Sequence, residues 1–313
     1  MTASQAHADL VPPRQARRRP RRRLEDSPFV WLLPTAVMLG LFYLYPILDA
    51  VRLAFTNASL LGGEVRYTTG TITAVLGHAA LGEILANTAV FTLASVAGQQ
   101  ALGLAIALLV VRGERRRLPG MVLLRTIVLV AWVIPGIANG IIWQLLFSEA
   151  PFGAINGVLR LLHVAPVPWL SDPTLAMVSS VVSNIWRGTA FSMIVFYAAL
   201  KGIDTTLYEA ADMDGASTSQ TFRHVTLPLL RPAILVNSIL VTIQTLNVFD
   251  AIISLTGGGP GRATEVLSLF TFFAVFRNYD LGGASVLSIL MLVISLVLAV
   301  LYASFLPRDE DRA

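Results

Sequence analysis

The stretch Ala284–Leu306, ASVLSILMLVISLVLAVLYASFL, contains 23 residues and no charged side chain. A bilayer's hydrocarbon core of about 30 Å needs roughly 20 apolar residues at a helical rise of about 1.5 Å, so this run is long enough to cross it. The same test applied upstream finds five more runs: Phe29 to about Phe55, Ile84–Val111, about Met121–Phe147, Thr174–Leu200 and about Ala233–Phe249. The first is free of charge from Phe29 to Leu48, the third is broken only by Arg125, and the fourth contains Arg187. The pattern predicts an all-α integral membrane protein with six transmembrane helices, the third kinked at Pro135.

Composition agrees. Hydrophobic residues make up 55% of the chain and charged ones 13%, against about 25% charged in soluble domains. Without cysteine there is no disulfide framework, thiolate metal site or cysteine nucleophile. His7, His78, His163 and His224 are too far apart in sequence to share a helical turn, so no metal site is expected. A net charge of +4 would suit a nucleic-acid binder, but the basic residues follow membrane topology instead. With the N-terminus inside, seventeen Lys and Arg fall on inner segments and only Arg66, Arg160, Arg262 and Arg277 on outer loops. By the positive-inside rule both termini are cytoplasmic. No nucleic-acid partner is expected, and membrane lipid is the partner that composition itself implies. Residues 1–27, rich in Arg and Pro, read as a disordered basic cytoplasmic tail, and 28–313 as the six-helix domain. A signal peptide also pairs a basic stretch with an apolar one, but its apolar region is about 7–15 residues, so a retained anchor is expected.

Between the fourth and fifth runs lies the loop 201–232. It contains Leu207-Tyr208-Glu209-Ala210-Ala211-Asp212-Met213-Asp214-Gly215-Ala216, then Phe222-Arg223-His224-Val225-Thr226-Leu227-Pro228-Leu229-Leu230-Arg231-Pro232. Thr205 or Thr206 can cap a helix from Leu207 to Ala211, which Gly215 can stop. A second short helix is expected from about Ser217 to His224, with Leu227-Pro228 redirecting the chain and Pro232 in the first turn of the fifth span. The product is a helix-turn-helix element at the membrane surface.

This loop resembles the hallmark of the permease subunits of binding-protein-dependent ABC importers, in particular the carbohydrate, maltose-type branch. The match falls on Glu209, Ala210, Ala211, Asp214, Gly215, Ala216, Phe222, Leu227, Pro228 and Pro232. The resemblance implies that this loop couples transport to ATP hydrolysis by docking in a cleft of a separate ATPase. Asp204 departs from the proline common in the family and should alter only how the helix begins. The segment Leu255-Thr256-Gly257-Gly258-Gly259-Pro260 resembles the family's Thr-Gly-Gly-Pro stretch. It lacks the following Lys and Ser or Thr of a phosphate loop, and reads as an outward turn. No ATPase motif is present, so the resemblance implies ATP and Mg bound by a partner, with no cofactor in this chain. It further implies a second homologous permease subunit, an ATPase dimer, an extracytoplasmic solute-binding protein and residence in a bacterial inner membrane.

Ionisable and amide groups at membrane depth are costly and point to function. Asn184, Arg187, Gly188 and Phe191 lie at i, i+3, i+4 and i+7, on one helical face. Gln244, Thr245, Asn247 and Val248 occupy the corresponding depth of the fifth span. Together they offer amides, a guanidinium, a hydroxyl and a ring, groups suited to a sugar, and the resemblance places the family's transient sugar pocket in the same region. The competing reading is helix packing, with Arg187 paired to Asp250. Asn87, Gln99 and Gln100 read as packing groups, and most tryptophans as interfacial anchors. The acids Glu209, Asp212 and Asp214 flank no base, so an integral-membrane enzyme is disfavoured. An ion-coupled secondary transporter would need mid-span acids, which are missing. The function expected is half of the pathway of an ATP-driven sugar importer. A glycerol phosphodiester or glycerol 3-phosphate permease is the alternative.

Overall fold

The computed structural model describes residues 28–305; the expected basic tail, 1–27, lies outside them. The chain divides into two units, residues 1–49 and 50–313. In the first, α1 (Pro28–Leu39) passes through a π-helical turn, Gly40–Leu44, into α2 (Tyr45–Ala54), whose second half belongs to the second unit.

The second unit continues with α3 (Gly70–Leu76), α4 (Leu81–Arg115), α5 (Met121–Val133), α6 (Gly136–Leu146), α7 (Ala154–Leu161) and α8 (Pro173–Lys201). The loop carries α9 (Thr205–Met213) and α10 (Thr218–Thr221), followed by a π turn, Phe222–Thr226, and α11 (Leu227–Leu246). Then come α12 (Asp250–Leu255), α13 (Leu267–Phe276) and α14 (Leu281–Ser304). Among the described residues no strand forms, only the isolated bridges Thr56–Tyr67 and Ser59–Asp280.

Among the described residues four helical runs are long and apolar enough to cross a membrane: Trp31–Ala54, Leu81–Arg115, Thr218–Leu246 and Leu281–Ser304. The expected third span is a bent pair, and the expected fourth is α8, which turns at its end into α9 of the loop 201–232. α5 and α6 meet at 105°, and α8 and α9 at 70°, giving six if each pair is one span. The sequence predicted a kink at Pro135, but the break is far sharper. Ile134 is extended (ψ 124°) and Pro135 becomes the N-cap of a new helix. The pieces of 13 and 11 residues are each about 20 Å or less, too short to cross alone.

Pro228 also differs from expectation. It does not redirect the chain, because the preceding π turn carries the helix through into α11. Proline lacks an N–H and its ring crowds the carbonyl four residues back; the wider turn, in which Leu227 N–H reaches Phe222 O, moves that carbonyl aside. The π turn Gly40–Leu44 precedes Pro46 in the same register.

α4 and α8 pack at close range because Gly98, Gly103 and Gly188 leave room for Ile185, Ser192 and Gln99; a methyl group at any of the three would overlap its neighbour. Three apolar clusters extend from this pair. One joins Ala107 and Val111 of α4 to Phe196 and Leu200 of α8 and Leu230 of α11. A second joins Phe91 to Met177, Ile252, Leu269 and Phe273, and a third joins Ile84 to Leu267 and Leu287. α13, which the sequence left in an outward loop, is therefore a core element. A ten-residue helix is too short to register as a span, yet Leu267 and Leu269 are fully buried. Arg125 also finds an acid: Glu114 lies 3.9 Å from it, accepts from Tyr197 Oη at 3.0 Å and pairs with Lys201 at 3.3 Å.

Candidate functional site

Where α4, α5, α8 and α11 converge there is a cavity of about 300 Å³. Its wall includes Asn184, Arg187 and Gly188 from α8, Gln244 and Thr245 from α11, and Asn247 and Val248 just beyond. Seven of the eight residues grouped from the sequence are thus brought together. The eighth, Phe191, is not in the wall; it packs on Trp132 with ring centroids 6.1 Å apart. The helix period placed the α8 face, while α11 supplies its share because it ends at Leu246 and the chain turns across the cavity into α12.

Four wall residues come from outside that group: Gln99, Trp132, Phe249 and Asp250. Gln99 does what a packing residue does, its Nε2 donating to Asn184 O at 3.1 Å, and also faces the cavity. Trp132, in the last turn of α5 ahead of the break at Pro135, lines the cavity while remaining about half exposed. Its only signal in the sequence is its place three residues before that proline. Asn87 and Gln100 are packing groups, donating to Arg262 O at 2.9 Å and Ser238 Oγ at 2.6 Å.

The electrostatics of the cavity centre on Arg187 and Asp250, whose charged atoms are 4.0 Å apart, with each side chain about a quarter to a third exposed (27% and 32%). Asp250 has other company. Its Oδ1 accepts from Ala251 N–H at 2.9 Å, and its carboxylate rests against Gly136, the first residue of α6. A helix N-terminus favours an anion, so the break at Pro135 also gives Asp250 a second source of positive potential. Asn184 is 5% exposed and its Nδ2 has no hydrogen-bond partner among the described residues. A buried amide donor left unsatisfied costs about 1–3 kcal/mol, which a hydroxylated ligand would recover.

The loop between α8 and α11 is built from local signals. Asp204, not Thr205 or Thr206, is the N-cap of α9: its Oδ1 accepts from Thr206 N–H at 2.9 Å, which holds the carboxyl below its ordinary range. The acceptor must precede the first turn, and Asp204 does so with extended backbone (ψ 131°). At the other end Gly215 adopts φ +70°. Gly215 N–H reaches Asp212 O at 3.1 Å and Ala216 N–H reaches Ala211 O at 2.9 Å, the paired bonds of a Schellman stop. Ser217 and Gln220 then form a capping box for α10. Ala211 faces inward, whereas Glu209, Ala210, Asp214 and Met213, the last 88% exposed, face out. Arg115 lies 4.5 Å over the Tyr208 ring, and Thr226 Oγ1 donates to Tyr208 Oη at 3.3 Å, tying α9 to α4 and to the start of α11. Leu227 and Pro228 lie in the first turn of α11. Outside the spans, burial raises the pKa of Glu265, against the opposing pull of Arg262 at 3.6 Å.

Residues 101–309 match the family described as binding-protein-dependent transport system inner membrane component. The trehalose/maltose transport system permease protein MalF of Thermococcus litoralis is 41% identical over 220 residues, 70% of this chain and 73% of the relative. The sulfoquinovosyl glycerol transport system permease protein SmoG of Agrobacterium fabrum is 33% identical over 282 residues, 90% of each. A chain of a bacterial ABC transporter that imports the acidic polysaccharide alginate superposes with a TM-score of 0.74 at 23% identity, over 88% of this chain and 93% of that one, and shows the same fold. The chain belongs to the family of binding-protein-dependent transport system inner membrane components. It is a multi-pass inner-membrane permease, a transport component and not an enzyme, in an import system that uses a solute-binding protein.

Proposed function

We propose that this permease forms half of the pathway for a neutral sugar, that the cavity beside Asn184 is where the solute rests in transit, and that the α9 loop docks on the ATPase. The observation carrying the reading is the unpartnered, buried Asn184 Nδ2 in a wall that also offers Gln99, Gln244, Asn247 and the indole of Trp132. Amides match hydroxyl pairs, and an aromatic face covers the apolar face of a pyranose. Asp250 beside Arg187 favours a neutral solute over a glycerol phosphodiester or glycerol 3-phosphate, because it already compensates the cation an anionic solute would need. The relatives' trehalose and maltose are neutral glycosides, and sulfoquinovosyl glycerol is a glycoside with a sulfonate, so the relatives support a glycoside while the neutral charge rests on the Arg187–Asp250 pair.

In this reading both termini and the loop 201–232 are cytoplasmic, a second homologous permease completes the pathway, and ATP with Mg binds in an ATPase dimer. Closure of that dimer moves both loops inward and opens the cavity outward to the binding protein. The exposed Glu209, Ala210 and Met213 supply the docking face, and the Schellman stop at Gly215 fixes its orientation. The test is uptake by proteoliposomes holding the assembled importer, with its binding protein added outside. Neutral glycosides should be taken up, Asn184→Leu should reduce uptake at least tenfold while leaving assembly intact, and Glu209→Lys should uncouple ATP hydrolysis from uptake. Unchanged uptake by Asn184→Leu, or transport of glycerol phosphodiesters alone, would overturn the solute assignment. Wild-type stimulation and uptake by Glu209→Lys would overturn the docking assignment.

A further inference from the structure

Beside α9 lies a second, larger groove of about 680 Å³. Arg112, Arg115 and Arg116, at the end of α4, line it, all three are exposed, and none forms an ion pair with a carboxylate of the described residues. Stacking on Tyr208 fixes the plane of the Arg115 guanidinium and leaves its N–H edge free. The lining is also apolar: Leu109 is 60% exposed and Leu118 50% exposed. α4 has 35 residues, about 52 Å, well beyond a hydrocarbon core of about 30 Å, so its arginine-bearing end emerges where headgroups lie and the leucines fall at the edge of the acyl region.

We propose that this groove binds an anionic phospholipid of the inner leaflet, its phosphodiester on Arg112, Arg115 and Arg116 and an acyl chain along Leu109 and Leu118. Basic pockets between helices on the cytoplasmic side recognise such headgroups. Asp212 is the acid in the wall and leaves a net charge of about +2, enough to hold the single negative charge of a phosphodiester. The leucines argue in the same direction, since a soluble anion would leave them in water and a docked ATPase would meet the outward face of α9. The assignment to the inner leaflet rests on the orientation proposed above, but binding itself does not.

The test is native mass spectrometry of the full chain in detergent with equal phosphatidylglycerol and phosphatidylcholine of identical acyl chains. Phosphatidylglycerol adducts should dominate. Arg112→Gln and Arg116→Gln should each cut that preference about fivefold. The variant with all three arginines changed to lysine should keep it, and Leu109→Gln should weaken both lipids alike. Equal uptake of the two lipids, or single arginine variants indistinguishable from wild type, would overturn the proposal. So would displacement by millimolar inorganic phosphate, or loss of adducts on adding the ATPase, which would assign the groove to the coupling interface. Micelles have no sidedness, so an inverted topology would appear in cysteine labelling and not here.

Discussion

Breaking the Arg187–Asp250 pair should have unequal consequences for its two members. Unit charges 4.0 Å apart attract by about 4 kcal/mol at an effective dielectric of about 20. At that separation no direct hydrogen bond joins them, and the partial exposure of both side chains lets water screen much of the attraction, leaving a coupling of about 1–2 kcal/mol. Arg187→Met leaves Asp250 with Ala251 N–H and the start of α6, so the cost should be about 1 kcal/mol. Asp250→Asn leaves a guanidinium in the interior of a span with no carboxylate among the described residues within ion-pair distance, and should cost about 2–3 kcal/mol. At roughly 2–4 °C per kcal/mol, thermal unfolding of the purified chain resolves the two, and the double variant closes the cycle. Coupling under about 0.3 kcal/mol, or Arg187→Met costing more than Asp250→Asn, would refute the geometry. Uptake adds the functional half: recovery of transport in the double variant makes the pair structural, whereas loss in Arg187→Met that Asp250→Asn does not rescue makes Arg187 a solute contact.

Gly103→Val should drive a side chain into Ser192 and Met193 and sharply reduce folded, monodisperse protein, while Gly120→Val, at an open site, should fold at a cost near 1–2 kcal/mol from its positive φ alone; size-exclusion yield separates them. The chain has no cysteine, so Ser217→Cys should label from the cytoplasmic side of sealed cells and Gly258→Cys from outside, and reversed accessibility would refute the orientation. Glu265 binds its proton more tightly folded than unfolded, so its contribution is fully present below pH 4.5, the ordinary value, and is lost as pH rises through the raised folded pKa. The Tm should fall over that window in wild type and fall less in Glu265→Gln, and identical pH profiles would refute the assignment.

Sequence alone determined the elements whose signals are local. Charge-free runs such as Ala284–Leu306 need no partner to be recognised, because the bilayer sets their length. The 3.6-residue period placed Asn184, Arg187 and Gly188 on one face, and Gly215 marked a helix stop because a positive φ is strained for other residues. Only the tertiary structure decided what depended on a second element. The sharp break at Ile134-Pro135, deeper than a proline kink, exists because Gly136 and Gly140 let α6 lie against Asp250, Ala251 and Ser254 of α12. That break sets the start of α6 against Asp250, a second positive neighbour beside Arg187 that no spacing in the sequence encodes. α13 was hidden for a similar reason: ten residues are too few to span, and its inner face is buried only because α4, α8, α12 and α14 surround it. Period and composition report what a segment needs to be covered by; which segment covers it is set by close approach at residues such as Gly98 and Gly188, far apart in the chain.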